Sequence, residues 1–471
     1  MIDSRLELAA DITGLHGAEY NPRKIGQSDR EALQESITTL GCVKPIIAVK
    51  STGLIVAGHQ RTNALRANGI THAPVFWLTK VNDHDAARFN QLHNGTDMDN
   101  GDEGASFPGG FDSLGMQVAD SGRLQANWRA SGADLRNAIA RLIKLHGPWG
   151  ACVATQSGEV VHCAQYAIAS ALSLDPLTVF VIEDERAEEY RSRLSRAYGV
   201  FSYDHIKRKS YVQSEAQMTR MSEKRLNRSG LWEQHLQPWL KDNPTARVLD
   251  FGCGRGEYAR DAIKKGFNVT MLEFYPRKDG GSCCGSQRLV DVARANSMVT
   301  ETLAQFKASG PFDAVICDSV MNSVDSIQTE AHVLNTLNVL TKMGGTLFIS
   351  GRSFGEVEKG GKRKSASTGQ GGVRLTYLDE NGLTAVLRDG AWFFQRFHKP
   401  EQIAELMDRH GFRVDAIQDA SSGSWRRRVT KIAEPSHEDT RAALAHEFDM
   451  PLNDTGRTLG RASDAISVIL P

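Results

Sequence analysis

The chain has 471 residues, 40% hydrophobic and 24% charged, ordinary values for folded protein that exclude a fibrous repeat and wholesale disorder. Its 56 Lys+Arg and 56 Asp+Glu give a formal net charge of zero, so attraction of a polyanion by the global field is excluded and any such attraction must come from local basic patches. The length exceeds what one core usually supports and predicts about three domains. Cys42, Cys152, Cys163, Cys253, Cys283, Cys284 and Cys317 form no C-x-x-C pair and no Cys/His cluster at metal-ligand spacing. That pattern fits a reduced cytosol and predicts no metal site, and the vicinal Cys283-Cys284 reads as two small residues in a Gly/Ser-rich loop. The first residues lack a basic start followed by an apolar core, and no run reaches the roughly 18 apolar residues of a membrane span, so a soluble, cytoplasmic protein without a membrane partner is expected.

From Ser28 to Leu78 the pattern reads as an α/β unit. "SDREALQESITTLG" is a helix with Ser28 as N-cap and a glycine stop, "PIIAV" and "GLIVAG" are strands, "HQRTNALRANG" is a second helix and "APVFWL" a third strand. Gly, Asp and Ser dominate the segment around residues 94–122, which predicts a linker, placed at 98–125 after a first domain at 1–97. "SGEVVHCAQYAIASALSLDPLTVFVI" then lies without gaps on the earlier strand-turn-helix-strand, pairing Gly53 with Gly158, Val56 with Val161, Gln60 with Gln165 and Ala64 with Ala169. We read residues 126–200 as a degenerate second copy in which Gly58-His59-Gln60-Arg61 has become Cys163-Ala164-Gln165-Tyr166. Residues 201–230 form a basic helical connector with Lys207, Arg208, Lys209, Arg220, Lys224, Arg225 and Arg228 against Glu215 and Glu223. It is either a phosphate-contacting surface or a solvated helix face.

After Pro244, "ARVLDFGCGRGEYARDAIKKGFNVTMLEF" reads strand, glycine turn, helix, strand. Gly252, Gly254 and Gly256 let the backbone turn tightly and approach a ligand. Glu273 ends the second strand, where a carboxylate can accept the hydroxyls of a ribose. A dinucleotide turn needs G-x-G-x-x-G with pyrophosphate on the helix N-terminus. Here the spacing is G-x-G-x-G behind Asp250, whose charge repels pyrophosphate and suits an ammonium group. "FDAVICDSVMNSV" is a strand ending in Asp318, "HVLNTLNVLTKMGGTLFIS" a helix, turn and strand, and "HKPEQIAELMDRHGFRVDAI" a last helix and strand. These extend a Rossmann-like domain over 231–420, followed by a C-terminal extension at 421–471.

This order resembles the class I S-adenosylmethionine-dependent methyltransferases, whose E/D-x-G-x-G-x-G signature reads here as Asp250 to Gly256. The resemblance implies S-adenosylmethionine as cofactor, held by Asp250, Gly252, Gly254, Gly256, Glu273 and Asp318. No clear third strand with its own acid stands between Glu273 and Phe312, and Asp291 is the candidate for an adenine-side contact. The D/N-P-P-Y/F motif of amino-group DNA methyltransferases is replaced by Asp318-Ser319-Val320-Met321-Asn322, and Cys317 lacks the preceding Pro of cytosine-C5 enzymes and reads as a core residue. Asp318 and Asn322 are candidates to orient a nucleophile, and His398 to act as base, with a plain surface histidine as the alternative. The Gly/Lys-rich insert at 355–372 reads as a loop that closes on an anionic substrate or is merely solvated. "SGSWRRRV" reads as a stacking and charged surface for nucleic acid built on Trp425, or an ordinary surface strand.

The front half, through "NPR" at Asn21 to Arg23, "KPIIAV" and "IVAGHQRTNALRANGITHAPV", is similar to the N-terminal domain of the ParB/sulfiredoxin superfamily. That similarity implies a nucleotide or phosphate site at Gly58, His59, Gln60 and Arg61, with CTP or ATP as ligand, and a second motif at "RFNQLHNGTD". The expected architecture is therefore α/β throughout: a ParB-like domain, duplicated in degenerate form, joined to a Rossmann-like class I methyltransferase domain. Three functions remain open: methylation of DNA or a DNA-attached group, methylation of a small molecule with a regulatory front half, and nucleotide-gated DNA binding without catalysis. DNA and nucleotide are the expected partners, and homo-oligomerisation is left open.

Overall fold

The computed structural model describes residues 5–96, 104–127, 133–196, 198–201, 228–276, 290–357, 377–378, 382–388, 391–419, 423–452 and 457–470. Most of the basic connector, most of the Gly/Lys-rich insert and the Cys283-Cys284 pair lie outside them. The chain divides into two compact units, residues 1–207 with 360–380 and residues 208–359 with 381–471.

In the first unit β1 (Leu6–Asp11), β2 (His16–Gly17), α1 (Gln27–Leu40), β3 (Ile46–Val49), β4 (Leu54–Ala57), α2 (His59–Ala67), β5 (His72–Leu78) and α3 (Asp83–Thr96) come first. They build a five-stranded sheet in the order β1-β5-β3-β4-β2. The α1 helix is capped at its start by Gly26 with no side-chain hydrogen bond, so Ser28 is a helical residue and not the expected cap. Next come β6 (Gly115–Ala119), α4 (Ala133–His146), β7 (Cys152–Thr155), β8 (Val160–His162), α5 (Ala164–Ser173), β9 (Leu177–Ile182) and α6 (Ala187–Leu194). Their sheet runs β8-β7-β9-β6.

The two sheets have one topology. In each, a hairpin (β3-β4 or β7-β8) with an irregular register leads through a helix to a strand parallel to the hairpin's first member, and an antiparallel edge strand completes the set. The turn glycines correspond, Gly53 at φ 74° and Gly158 at φ 99°, and so do the left-handed residues entering the helix, Gly58 at φ 91° and Cys163 at φ 61°. The gapless pairing of the two segments fails in the final strand. It would give Val181 the place of Phe76, which lies beside Ile47, but Phe180 holds that place beside Val153.

Two expected boundaries are corrected. The segment assigned as a linker contains β6, paired along its length with β9, and Phe107, which is wholly buried. An edge strand needs few apolar side chains, so a Gly- and Asp-rich composition hid it. The two copies are also not separate bodies, because Phe76 and Phe89 of the first share a core with Trp149, Tyr166 and Val179 of the second.

The second unit contains α7 (Gln237–Asp242), β10 (Arg247–Phe251), α8 (Glu257–Lys264), β11 (Asn268–Leu272), α9 (Val292–Ser309), β12 (Phe312–Asp318), α10 (Ile327–Leu340) and β13 (Thr341–Arg352). These are followed by β14 (Leu383–Arg388), β15 (Ala391–Arg396), α11 (Ile403–Arg409), β16 (Phe412–Asp419), β17 (Ser424–Lys431), α12 (His437–Glu447) and α13 (Ala462–Ile469). Its main sheet runs β11-β10-β12-β13-β17-β16, parallel except that β17 is antiparallel to both neighbours. Buried strands such as β10 and β12 are near-continuous apolar runs, as a sheet covered on both faces requires. Among the described residues no strand lies between β11 and β12. The expected boundary at residue 420 falls between β16 and β17, two paired strands, so part of the assigned extension belongs to the sheet. Trp425 on β17 is fully buried, which removes it as a stacking surface for nucleic acid. Phe448, Met450 and Ala465, in and around α12 and α13, join the same core as Leu249, Leu272 and Val315 of the sheet.

Left-handed residues cost about 1–2 kcal/mol when they carry a Cβ. Gly58→Ala is therefore expected to lower stability by about that amount in denaturant unfolding, whereas Cys163→Gly at the matching position should be tolerated.

Candidate active site

Parallel strands β10 and β11 both end at one cavity of about 420 Å³, within the usual size of small-molecule sites. Asp250, Gly252, Gly254, Gly256, Glu273, Asp318 and Asn322 all line it. The three glycines have φ of 69°, 59° and 65°, left-handed values that strain any residue with a Cβ. At Gly252 a Cβ would also stand 2.4 Å from Val320 Cγ2. This turn aims the Gly254 N–H at Glu273 Oε2, 2.8 Å away, while Glu273 Oε1 accepts from the Tyr275 N–H at 2.9 Å. Asp250 and Glu273 are both buried, so two carboxylates sit in one low-dielectric pocket. Burial and those two acids drive the Cys253 thiol well above its usual pKa and keep it protonated.

At the end of β12, Asp318 is held by three hydroxyls. Ser229 Oγ donates to Oδ2 at 2.5 Å, and Ser350 Oγ and Ser319 Oγ donate to Oδ1 at 2.6 and 3.3 Å. Ser229 also ties in Tyr258, whose hydroxyl accepts from the Ser229 N–H at 3.0 Å and donates to Glu233 at 2.9 Å. Burial pushes that phenol up to about 12, so it remains neutral. Asn322 Oδ1 accepts from the Arg352 N–H at 2.8 Å, placing Arg352 at the same cavity. Sequence reading missed Arg352 and Glu447, which no local motif brings to the cavity, Ser229, which meets Asp318 behind it, and Tyr258, which follows the glycine turn directly.

Two other expectations are corrected here. His398 is neither a base at the cavity nor a surface residue. It is buried, its Nε2 is hydrogen-bonded to Glu330, and Arg396 Nε lies 3.3 Å from the same carboxylate. Asp291 does not line the cavity, and its carboxylate caps α9 by accepting from the Arg294 N–H at 3.1 Å.

Residues 220–417 match the family described as "Methyltransferase domain". The chain carries a class I S-adenosylmethionine-dependent methyltransferase domain. It is similar to the ubiquinone biosynthesis O-methyltransferase of Xanthomonas axonopodis pv. citri (strain 306), 24% identical over 194 residues that cover 39% of this chain and 70% of that protein. The corresponding enzyme of Xylella fastidiosa (strain M23) is 24% identical over 263 residues, 49% of this chain and 91% of that protein. Among solved structures, the glycopeptide N-methyltransferase MtfA complexed with S-adenosyl-L-homocysteine is 14% identical with a TM-score of 0.26, covering 43% of this chain and 90% of that one.

The cavity of the methyltransferase domain fits the cofactor in charge and in space. The sulfonium and ammonium groups of S-adenosylmethionine are cationic, which offsets the burial of Asp250 and Glu273, and the glycine turn lines the cavity with backbone. Asp250 suits the ammonium group and Glu273 the ribose hydroxyls. Among the described residues no group of three His, Cys, Asp or Glu could hold a metal ion, and no helix is long and apolar enough to cross a membrane.

In the first unit, a smaller cavity of about 170 Å³ is lined by Gly58, His59, Gln60 and Arg61. Arg61 Nη1 is engaged by the carbonyls of Lys44 and Pro45, both at 2.8 Å, and Gln60 Nε2 donates to the Arg23 carbonyl at 3.2 Å. His59 Nε2 accepts from the Ala18 N–H at 3.1 Å, and burial pushes the imidazole down to about 4, leaving it neutral near pH 7. His59 therefore supplies no positive charge to a phosphate.

Isothermal titration with S-adenosylhomocysteine checks the larger site. Asp250→Asn and Glu273→Gln are each expected to weaken binding by about tenfold or more, as loss of a charge-assisted hydrogen bond of about 1.5–3 kcal/mol implies. Gly252→Ala is expected to abolish it while the far-ultraviolet circular dichroism remains that of the wild type.

Proposed function

We propose that the methyltransferase domain methylates a small molecule, at a hydroxyl group. The observation that carries this reading is the loop after β12, which folds inward. Met321 is fully buried, Asn322 is tied to the Arg352 backbone, and Ser319 is left-handed at φ 67°. No proline or aromatic ring stands in this loop to clamp an extruded base, which is what chemistry on a nucleobase needs. The printed names of the two curated relatives, O-methyltransferases of ubiquinone biosynthesis, support an oxygen acceptor.

The cofactor supplies an electrophilic methyl group. The chain's own part is to position the acceptor and to manage its charge. Asp318, fixed by Ser229, Ser319 and Ser350, forms a rigid negative wall. Arg352 brings positive charge to the side of the cavity formed with Asn322 and Gln395, where an ionised acceptor oxygen would be stabilised.

The reading on DNA drew on the basic connector, most of which lies outside the described residues, and on Trp425 with Arg426, Arg427 and Arg428, of which Trp425 and Arg427 are buried. The CTP or ATP reading of the first unit drew on His59 and Arg61, which are engaged by backbone groups. Neither gains support from the described residues.

Incubation with methyl-tritiated S-adenosylmethionine, catechols and other phenols, and duplex DNA in one reaction separates these acceptors. Label is expected in the organic-extractable fraction, with Arg352→Ala reducing its incorporation about tenfold or more. Label retained on acid-precipitated DNA would contradict the proposal.

A further inference from the structure

Glu447 ends α12, far along the chain from every motif discussed so far, yet it lines the same cavity as the glycine turn. It is 2% exposed, and its Oε1 has no hydrogen-bond partner. A buried polar atom aimed into a ligand cavity without a partner costs stability, and the ligand itself is a natural donor or acceptor for it.

The position of this segment defines which part of the ligand it meets. Glu273 is the ribose acid, and the two residues following it are covered by the chain around Glu447. Phe274 packs edge-on against Phe448 at 5.3 Å, and the Tyr275 hydroxyl donates to the Pro451 carbonyl at 3.0 Å. Met450 lines the cavity beside them. A base carried on that ribose extends past Phe274 and Tyr275 toward this wall. Among the described residues there is no third strand to bring an acid to the base, and Asp291 is occupied as a helix cap.

We propose that Glu447, delivered by α12, reads the adenine edge of the cofactor, its carboxyl group donating to ring nitrogen N1 and accepting from the N6 amino group. This rests on the cofactor assignment of the cavity. The required donor–acceptor pair exists only in the neutral carboxyl group. Burial, then the neighbouring Asp325, push Glu447 up to about 8, so the neutral form prevails near pH 7. The other titratable groups around it are His446 on its own helix, with Nε2 at 4.0 Å, His332 on α10, whose ring packs on His446, and Cys317 on β12. Burial holds both imidazoles below their usual pKa and the thiol well above its own, so none of the three carries charge near pH 7. Asp325 accepts a hydrogen bond from Thr329 at 2.8 Å.

The test is calorimetric binding of S-adenosylhomocysteine and of its 1-deaza analogue, which lacks the N1 acceptor, to the full chain and to Glu447→Leu and Glu447→Gln. At pH 6.5 the wild type is expected to prefer the adenine ligand by about tenfold, and Glu447→Leu to bind the two equally. Raising the pH through about 8 ionises the carboxyl group and should erase the wild-type preference. Glu447→Gln, whose amide donates and accepts at any pH, should keep it throughout. An equal preference in all three proteins, or a wild-type preference that grows with pH, would overturn the proposal while leaving the cofactor site intact. Absence of S-adenosylhomocysteine binding to the wild type would instead overturn the cofactor assignment and this inference with it.

Discussion

The second unit is organised around an electrostatic problem: Asp250 and Glu273 are buried on neighbouring parallel strands and open into one cavity. Two carboxylates in that setting need compensation, which the backbone supplies in part. A turn of three left-handed glycines points the Gly254 N–H at Glu273, and the next turn of chain adds the Tyr275 N–H. A negative potential in such a cavity favours a cationic ligand. Asp318 at the end of β12, Asn322 in the turn after it and Arg352 at the end of β13 meet at this cavity because β12 lies between β10 and β13.

The first unit repeats one strand-turn-helix-strand arrangement in two sheets with different side chains at the turn. Both copies keep the left-handed entry to the helix, although the second has Cys163 where the first has Gly58. Both keep the parallel crossover, and their apolar faces have merged into a shared core. In the first copy His59 and Arg61 are engaged in holding the backbone near Ala18, Lys44 and Pro45. The second copy has Ala164 and Tyr166 there, and Tyr166 meets a structural need of its own by accepting from the Gly150 N–H at 2.8 Å. The expected ParB-like domain gains no support beyond a strand-turn-helix shape, and shape alone assigns no ligand.

Much of the cofactor cavity was legible because its parts are local. A strand, a glycine turn and an acid twenty-odd residues later form one contiguous signal that marked Asp250 to Gly256 and Glu273, and the apolar strand before Asp318 marked that residue; all of these line the one cavity. The repeat was legible for the same reason, through its turn glycines and helix. What escaped depends on contacts between distant segments. Glu447 reaches the cavity, and Ser229 reaches Asp318, only through the folding of distant segments that no motif marks, and β6 was hidden by the composition an edge strand tolerates. His398 and Trp425 were misplaced because a polar or aromatic residue beside charges reads as surface, while here Glu330 engages the histidine's Nε2 and β17 runs through the interior of the sheet.

The most direct measurement is a crystal structure of the protein grown with S-adenosylhomocysteine. The account predicts the ligand's amino group within hydrogen-bond reach of Asp250, its ribose hydroxyls on Glu273 and its base between Phe274 and the segment that follows α12. Density for the ligand anywhere else, or a cavity beside Gly252 filled by side chains, would contradict it.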